Sequence, residues 1–206
     1  MDTFRTLEQL FKEFPGIGPR QAERFVYFLL TKPAAFSNSL AQAISQLKVG
    51  MQVCTECGRH FAKKHDAQSL CSICMNQNRT HETLMIVSRD VDIDAIERSG
   101  VYEGVYFVLG GIVPILEKEP EKRVRIEALE TRIKRDGALH ALSEIVFALN
   151  ANPDGEHTVE YISKRIQPLI SEYTIKTSML GRGLSTGTEI EYSDPETLKN
   201  ALQHRM

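Results

Sequence analysis

The chain has 206 residues, 42% of them hydrophobic and 25% charged, with a formal net charge of −2. That length suits one or two domains with a core of their own, and the composition excludes general disorder and fibrous classes. Residues 1–80 hold 10 Lys/Arg against 6 Asp/Glu, and residues 81–206 hold 15 against 21, so a basic half (+4) precedes an acidic one (−6). Such a split predicts two functional surfaces, one for an anionic ligand and one for a basic partner.

The first 50 residues read as helical. Phe4, Leu7, Leu10, Phe11 and Phe14 recur at helical spacing, and Pro15-Gly16-Ile17-Gly18-Pro19 then ends that helix. A second stripe follows at Ala22, Phe25, Val26, Leu29 and Leu30. A third helix is expected from Ser37 or Ser39, with a serine as its cap, to Leu47. Residues 51–82 are poor in large apolar side chains and rich in Cys, His and Lys. From residue 83 strands and helices alternate. Leu84 to Val87, Val105 to Leu109, Ile145 to Leu149 and Tyr173 to Ser178 read as strands, with Ile190 in a last short one. Asp92 to Arg98, Lys122 to Lys134, Glu156 to Ile170 and Pro195 to Gln203 read as helices. The expected fold class is α/β: an N-terminal helical region, then a mainly parallel sheet covered on both faces.

The runs Pro33 to Leu47 and Gly104 to Leu116 are uncharged but fall short of the ~18 apolar residues of a membrane span. The N-terminus lacks a basic region leading into an apolar stretch, so no signal peptide is expected and the expected location is cytoplasmic. There, lasting disulfides are uncommon. All 4 cysteines nevertheless lie close together, as Cys54-Thr55-Glu56-Cys57 and Cys71-Ser72-Ile73-Cys74. Two residues between cysteines let one tight turn aim both thiolates at one ion, and two such knuckles complete a tetrahedron around Zn²⁺. Gly58 suits the turn. Disulfides or unrelated thiols are the alternatives, with His60 and His65 nearby as other ligands. A site filled by Cys54, Cys57, Cys71 and Cys74 leaves no position for water, so this zinc is expected to be structural.

Between the first two helices, Gly16 and Gly18 permit a tight hairpin, and Pro19 suits the first position of the second helix. Amides at such a hairpin bind phosphate oxygens. Arg20 and Arg24 lie one turn apart, opposite Phe25 and Leu29. Gly16, Gly18, Arg20 and Arg24 therefore read as a helix-hairpin-helix that grips a DNA backbone without reading bases; an ordinary helical hairpin with two solvated arginines is the alternative. Further on, Asn150 to Glu156 follows a strand and opens a helix. Asp154 and Glu156 read either as acids favoured by a helix start or as carboxylates for Mg²⁺. Asp90-Val91-Asp92-Ile93-Asp94 fits a helix entry better than a metal site. Arg182 to Thr188 is glycine-rich but lacks the lysine of a phosphate-binding loop.

The order of hairpin, four-cysteine site and α/β domain with an acidic strand-end loop resembles the RecR family of bacterial recombination mediators. Phe14 to Pro19 with Ala22, Arg24 and Leu29-Leu30, Asp92 to Glu97, Tyr106 to Gly111, and Gly181 to Gly187 with Glu189 to Tyr192 carry the resemblance. It implies a Toprim fold for 83–180, with 1–50 as the helix-hairpin-helix region, 51–82 as the zinc finger and 181–206 as a C-terminal segment. It also implies ring-shaped tetramers that clamp double- or single-stranded DNA. A RecO-like partner, in some members joined by a RecF-like one, would help load RecA onto single strands coated by single-strand-binding protein. Family members are not known as enzymes, and the strand-end acids, here Asp154 and Glu156, are implicated in RecO binding. Three features depart from the family pattern. Val87-Ser88-Arg89-Asp90 stands where a glutamate usually follows the first strand, Pro153 is displaced in the strand-end loop with Asp154 in the first acid's place, and the zinc loop is longer than the family's common form. The competing reading is a Mg²⁺-dependent Toprim nuclease or primase-like nucleotidyl transferase using Asp154 and Glu156.

Overall fold

The computed structural model describes residues 2–65, 67–181, 183–184, 187 and 189–203, and the chain divides into two units, 1–52 and 53–206. Arg182, Ser185, Thr186 and Thr188 of the glycine-rich segment lie outside the described residues.

In the first unit, Asp2 caps helix α1 (Thr3–Lys12) by accepting the Phe4 N–H at 3.1 Å. The chain reverses through Pro15-Gly16-Ile17-Gly18, and α2 (Pro19–Leu30) opens on Pro19. Phe4 meets Tyr27 and Phe11 meets Phe25 edge-on, with ring centroids 5.1 and 5.5 Å apart, which holds α1 against α2. Helix α3 (Ala34–Gly50) starts earlier than the serines predict. Ala34 and Ala35 extend it back to Pro33, so Ser37 and Ser39 lie inside it and neither caps it.

The boundary falls within β1 (Met51–Val53), which forms a two-stranded sheet with β2 (His60–Ala62); the one-turn helix α4 (Ser72–Met75) follows. The main sheet contains β3 (Thr83–Val87), β4 (Val105–Val108), β5 (Glu144–Ala148) and β6 (Lys176–Met179) in the order β4-β3-β5-β6, all parallel. The helices α5 (Asp90–Ser99), α6 (Ile126–Ala138) and α7 (Pro153–Tyr173) make the crossovers, and α8 (Pro195–Gln203) closes the chain. Tyr173 belongs to α7, not to a strand: Thr174 turns into the left-handed region at φ 55° and delays β6 to Lys176. Ile190 is no strand residue either. Ile190–Tyr192 is a single 3-10 turn, closed by Tyr192 N–H to the Glu189 carbonyl. Helix α6 begins at Ile126 because Pro120–Lys122 forms its own short turn before it.

Side-chain alternation gives the sheet two faces. Leu84, Ile86, Phe107, Ile145 and Phe147 face α6 and α7 in one core with Leu129, Ile133, Ile162 and Ile166. Met85, Val87, Tyr106 and Val108 face the other way and pack with Ile93 of α5 and with Cys54, Cys57 and Cys71. The sheet is thus covered on both faces, but one cover is partly the cysteine ribbon. Thiols and strand residues supply the core that 51–82 lacks on its own. Among the described residues, no helix is long and apolar enough to cross a membrane.

Candidate metal centre and nucleic-acid interface

The sulfurs of Cys54, Cys57, Cys71 and Cys74 lie within 4.8 Å of one another. Two turns bring them there. In the first, Gly58 N–H bonds the Cys54 carbonyl at 2.9 Å, and Gly58 adopts φ 74°. In the second, Met75 N–H bonds the Cys71 carbonyl at 3.0 Å. The knuckles also join: Cys71 N–H points at the Cys54 sulfur at 3.4 Å. Cys57 and Cys71 sulfurs are 3.7 Å apart. Thiolates at about 2.3 Å from a tetrahedral Zn²⁺ stand about 3.8 Å from one another, so the spacing fits that donor set. Crowding sets the thiols against each other. Hydrogen bonds from Cys57, Cys71 and Cys74 hold the Cys54 thiol down, whereas Cys54 pushes Cys57 and Cys74 up. Thiols this close oppose one another's ionisation, so holding all four as thiolates takes a cation among them. His60 and His65 are not members of this cluster. The imidazole of His60 instead meets Asp90 of α5 at 3.2 Å.

In the hairpin, Ile17 N–H returns to the Phe14 carbonyl at 3.1 Å, and Gly16 takes φ 77°. A β-carbon at Gly16 or Gly18 would meet nothing within 4 Å, so both glycines face open space where an extended backbone can approach. Gly18 caps α2 with its carbonyl, which accepts from Gln21 and Ala22. Arg20 and Arg24 are exposed on the face opposite buried Ala22 and Val26, and among the described residues neither pairs with a carboxylate. One face of the hairpin thus offers turn glycines, a helix start and two guanidinium groups.

The sheet order makes the crevice between the C-terminal ends of β3 and β5 the topological switch point, where ligands of open α/β sheets gather. Ser88 and Arg89 stand at the end of β3. Ser88 Oγ donates to Asp92 at 2.7 Å and Arg89 N–H donates to the same carboxylate at 2.8 Å, so Asp92 caps α5. Asp90 accepts the His60 N–H at 2.8 Å, and Asp94 pairs with Arg59. All three acids of that stretch have structural partners, as its helix-entry reading requires. At the end of β5, Asn152 caps α7 by accepting Gly155 N–H at 2.8 Å. A β-carbon at Gly155 would collide with the Asn150 carbonyl, so the turn needs glycine. Asp154 and Glu156 both lie in the first turn of α7 but do not converge. Asp154 accepts Ile115 N–H at 3.2 Å, and exposed Glu156 lines a cleft with Leu149, Met179 and Leu180 on the β6 side. The loop after β4 crosses the switch point. Gly110 N–H bonds the Ser88 carbonyl at 3.1 Å, and Val113 N–H bonds Thr158 Oγ1 at 2.9 Å.

Sequence reasoning missed Glu56, Arg79, Arg132 and Arg135. Arg135 grips the Glu56 carboxylate at 2.7 and 2.6 Å and holds it below the usual carboxylate range. Arg79 pairs with Glu97 and donates to the Tyr102 carbonyl at 3.0 Å. Arg125 donates to the Gly58 carbonyl, while Lys122 and Arg123 pair with Glu119 and Glu117. The available signal was the spacing of Arg132 and Asp136, one turn apart on the side of α6 that Leu129 and Ile133 mark as apolar.

This architecture is that of a Toprim-domain protein, and the Toprim domain profile matches residues 82–179. The profile of the RecR helix-hairpin-helix matches residues 4–48, and that of the RecR C-terminal segment matches 183–206. A recombination protein RecR of Lactobacillus acidophilus is 35% identical over 195 residues, 95% of this chain and 92% of that protein. One from Roseiflexus sp. is 35% identical over 98% of this chain and 91% of its own, and one from Bifidobacterium animalis subsp. lactis is 36% identical over 95% and 91%. The chain belongs to the RecR family.

Proposed function

We infer that the protein is a DNA-binding mediator of recombination and repair, not an enzyme. The observation that carries this reading is the hairpin, where Gly16 and Gly18 face open space beside the exposed Arg20 and Arg24, which meet no carboxylate among the described residues. Such a surface contacts phosphates and is indifferent to base sequence. Zn²⁺ bound by Cys54, Cys57, Cys71 and Cys74 holds the ribbon structurally. When bound, it supplies a closed tetrahedral clamp and no open position for chemistry. The functional partition is 1–50 for DNA, 51–82 for zinc, 83–180 for the Toprim domain and 181–206 for the C-terminal segment. The working unit is a ring-shaped tetramer that clamps double- or single-stranded DNA. With a RecO-like partner, and in some settings a RecF-like one, it promotes RecA loading onto single strands. Asp154 and Glu156 present negative charge at the sheet end to the basic surface of the RecO-like partner.

The Mg²⁺-dependent nuclease or nucleotidyl transferase is the poorer fit. Its two carboxylates turn to different sides of α7, and Ser88 and Arg89 hold the place of the third acid. A salt titration of DNA binding, with and without the RecO-like partner, tests the reading. Salt-dependent, sequence-independent binding strengthened by the partner is expected. No DNA binding at low salt, or Mg²⁺-dependent cleavage or synthesis lost on replacing Asp154 and Glu156, refutes it.

A further inference from the structure

Strand β4 is an edge of the main sheet, and such an edge presents unpaired N–H and C=O groups. Leu109 N–H, just past β4, turns inward to the Val87 carbonyl of β3, so Tyr106 and Val108 aim their backbone groups outward. The first cysteine knuckle meets them there. Val108 N–H donates to the Cys57 carbonyl at 2.7 Å. Arg132, only 5% exposed, donates through Nη1 to the Glu56 carbonyl at 2.8 Å and to the Tyr106 carbonyl at 3.4 Å. Arg125 joins the Gly58 carbonyl to the Val108 carbonyl in the same way. Glu56, Cys57 and Gly58 therefore direct three consecutive carbonyls at the sheet edge or at the arginines that cap it.

We propose that the metal-loaded first knuckle is the closing piece of the β4 edge, with Arg132 as the positioning residue that makes the order of β4 and α6 depend on the metal. This rests on the four-thiolate metal reading above. A metal that holds Cys54 and Cys57 fixes the direction of the three carbonyls between and beside them. Without it, that turn has few apolar anchors. Arg132 cannot stay buried without its acceptors, since a buried charge is costly unless it is fully hydrogen-bonded. Asp136, at 3.1 Å from Arg132 Nε, satisfies only one side of the guanidinium. Metal loss then frees the outward groups of β4 and loosens α6, while β3 and β5, buried inside the sheet, keep their ladders.

The test is amide exchange in the intact protein, zinc-loaded and after chelation, with zinc content measured in both. Protection of the Val108 amide, which loses its own acceptor, and of α6, which loses the charge-assisted bond of Arg132, should fall about tenfold or more on chelation. Protection of β3 and β5 should hold. Unchanged Val108 protection in metal-free protein overturns the inference, and so does loss of protection throughout, which would make the metal a global requirement. A preparation that carries no metal at all sinks the metal reading itself, and this inference with it. Arg132→Lys keeps the charge beside Asp136 but removes the planar fork, so zinc release to a chelator should speed up several-fold at unchanged stoichiometry. Release at the wild-type rate would place the coupling elsewhere.

Discussion

Replacing both Arg20 and Arg24 by glutamine isolates the electrostatics of the hairpin. Neither side chain is buried or paired with a carboxylate among the described residues, so the fold of 1–52 should survive, and a thermal melt should stay within about 0.5 kcal/mol of wild type. Each phosphate contact contributes about 0.9 to the log–log salt slope on duplex DNA, so two lost contacts should lower it by about 1.8. Raising salt fourfold, from 50 to 200 mM, then narrows the gap between wild type and variant by about twelvefold. The assay is equilibrium binding of a labelled duplex and of unrelated sequences across that salt range, at fixed pH. The loss should be the same for every sequence, because backbone contacts carry no base information. A variant whose slope matches wild type would refute the assignment and move the DNA surface away from α2. A slope that changes for one sequence only would refute the sequence-independent mode.

Elemental analysis should find one zinc per chain, and Cys57→Ser should reduce it sharply and lower soluble yield; four free thiols in well-folded, zinc-free protein would contradict this. Burial pushes the Glu97 carboxyl up, but hydrogen bonds from Arg79 and from Tyr106 at 2.6 Å outweigh it and hold the group below its ordinary 4.5. Its stabilisation is therefore complete above the unfolded value and lost as pH falls through the folded one, so Glu97→Gln should flatten the acid limb of a stability–pH curve below about pH 4.5. Replacing Asp154 by Asn and Glu156 by Gln retains an acceptor for Ile115 N–H. It should slow association with the RecO-like partner, most at low ionic strength, and leave DNA binding unchanged. Equal association rates at all salts would remove these acids from the partner surface.

The parts legible in the sequence are those fixed by local chemistry. Gly16 permits the left-handed turn and Pro19 fixes φ at the helix start whatever surrounds them, and the paired C-x2-C spacing needs only two tight turns. Leu84 to Val87 reads as a buried strand because a strand covered on both faces is apolar throughout. What stayed hidden was set by distant partners. Arg132 and the Glu56 carbonyl are 76 positions apart, and no window of the sequence holds both. Arginines give the same signal whether they face phosphate, carboxylate or carbonyl, so nothing local marks Arg125 as the partner of the Gly58 carbonyl. The stripe Asp90, Asp94, Glu97 was readable as one face of a helix at i, i+4, i+7, but its partners Arg59, His60 and Arg79 lie in the ribbon.

Those partners also revise what the charge split means. The excess of +4 in residues 1–80 suggested a broad basic surface. Yet Arg5 and Lys12 face Asp2 and Glu8 within their own helix, and Arg59 and Arg79 face acids of α5. These pairs cancel in the local field, and charges beyond a Debye length of about 8 Å add little at physiological salt. Arg20 and Arg24 keep their field because, among the described residues, no carboxylate sits against them, and they keep it beside glycines that leave room for a backbone. The front-half excess is therefore a poor measure of affinity, and the placement of two uncompensated charges at one turn is a better one. By the same reasoning Arg5, Lys12, Arg59 and Arg79, each set against a carboxylate, should contribute less to the salt slope, residue for residue, than either hairpin arginine.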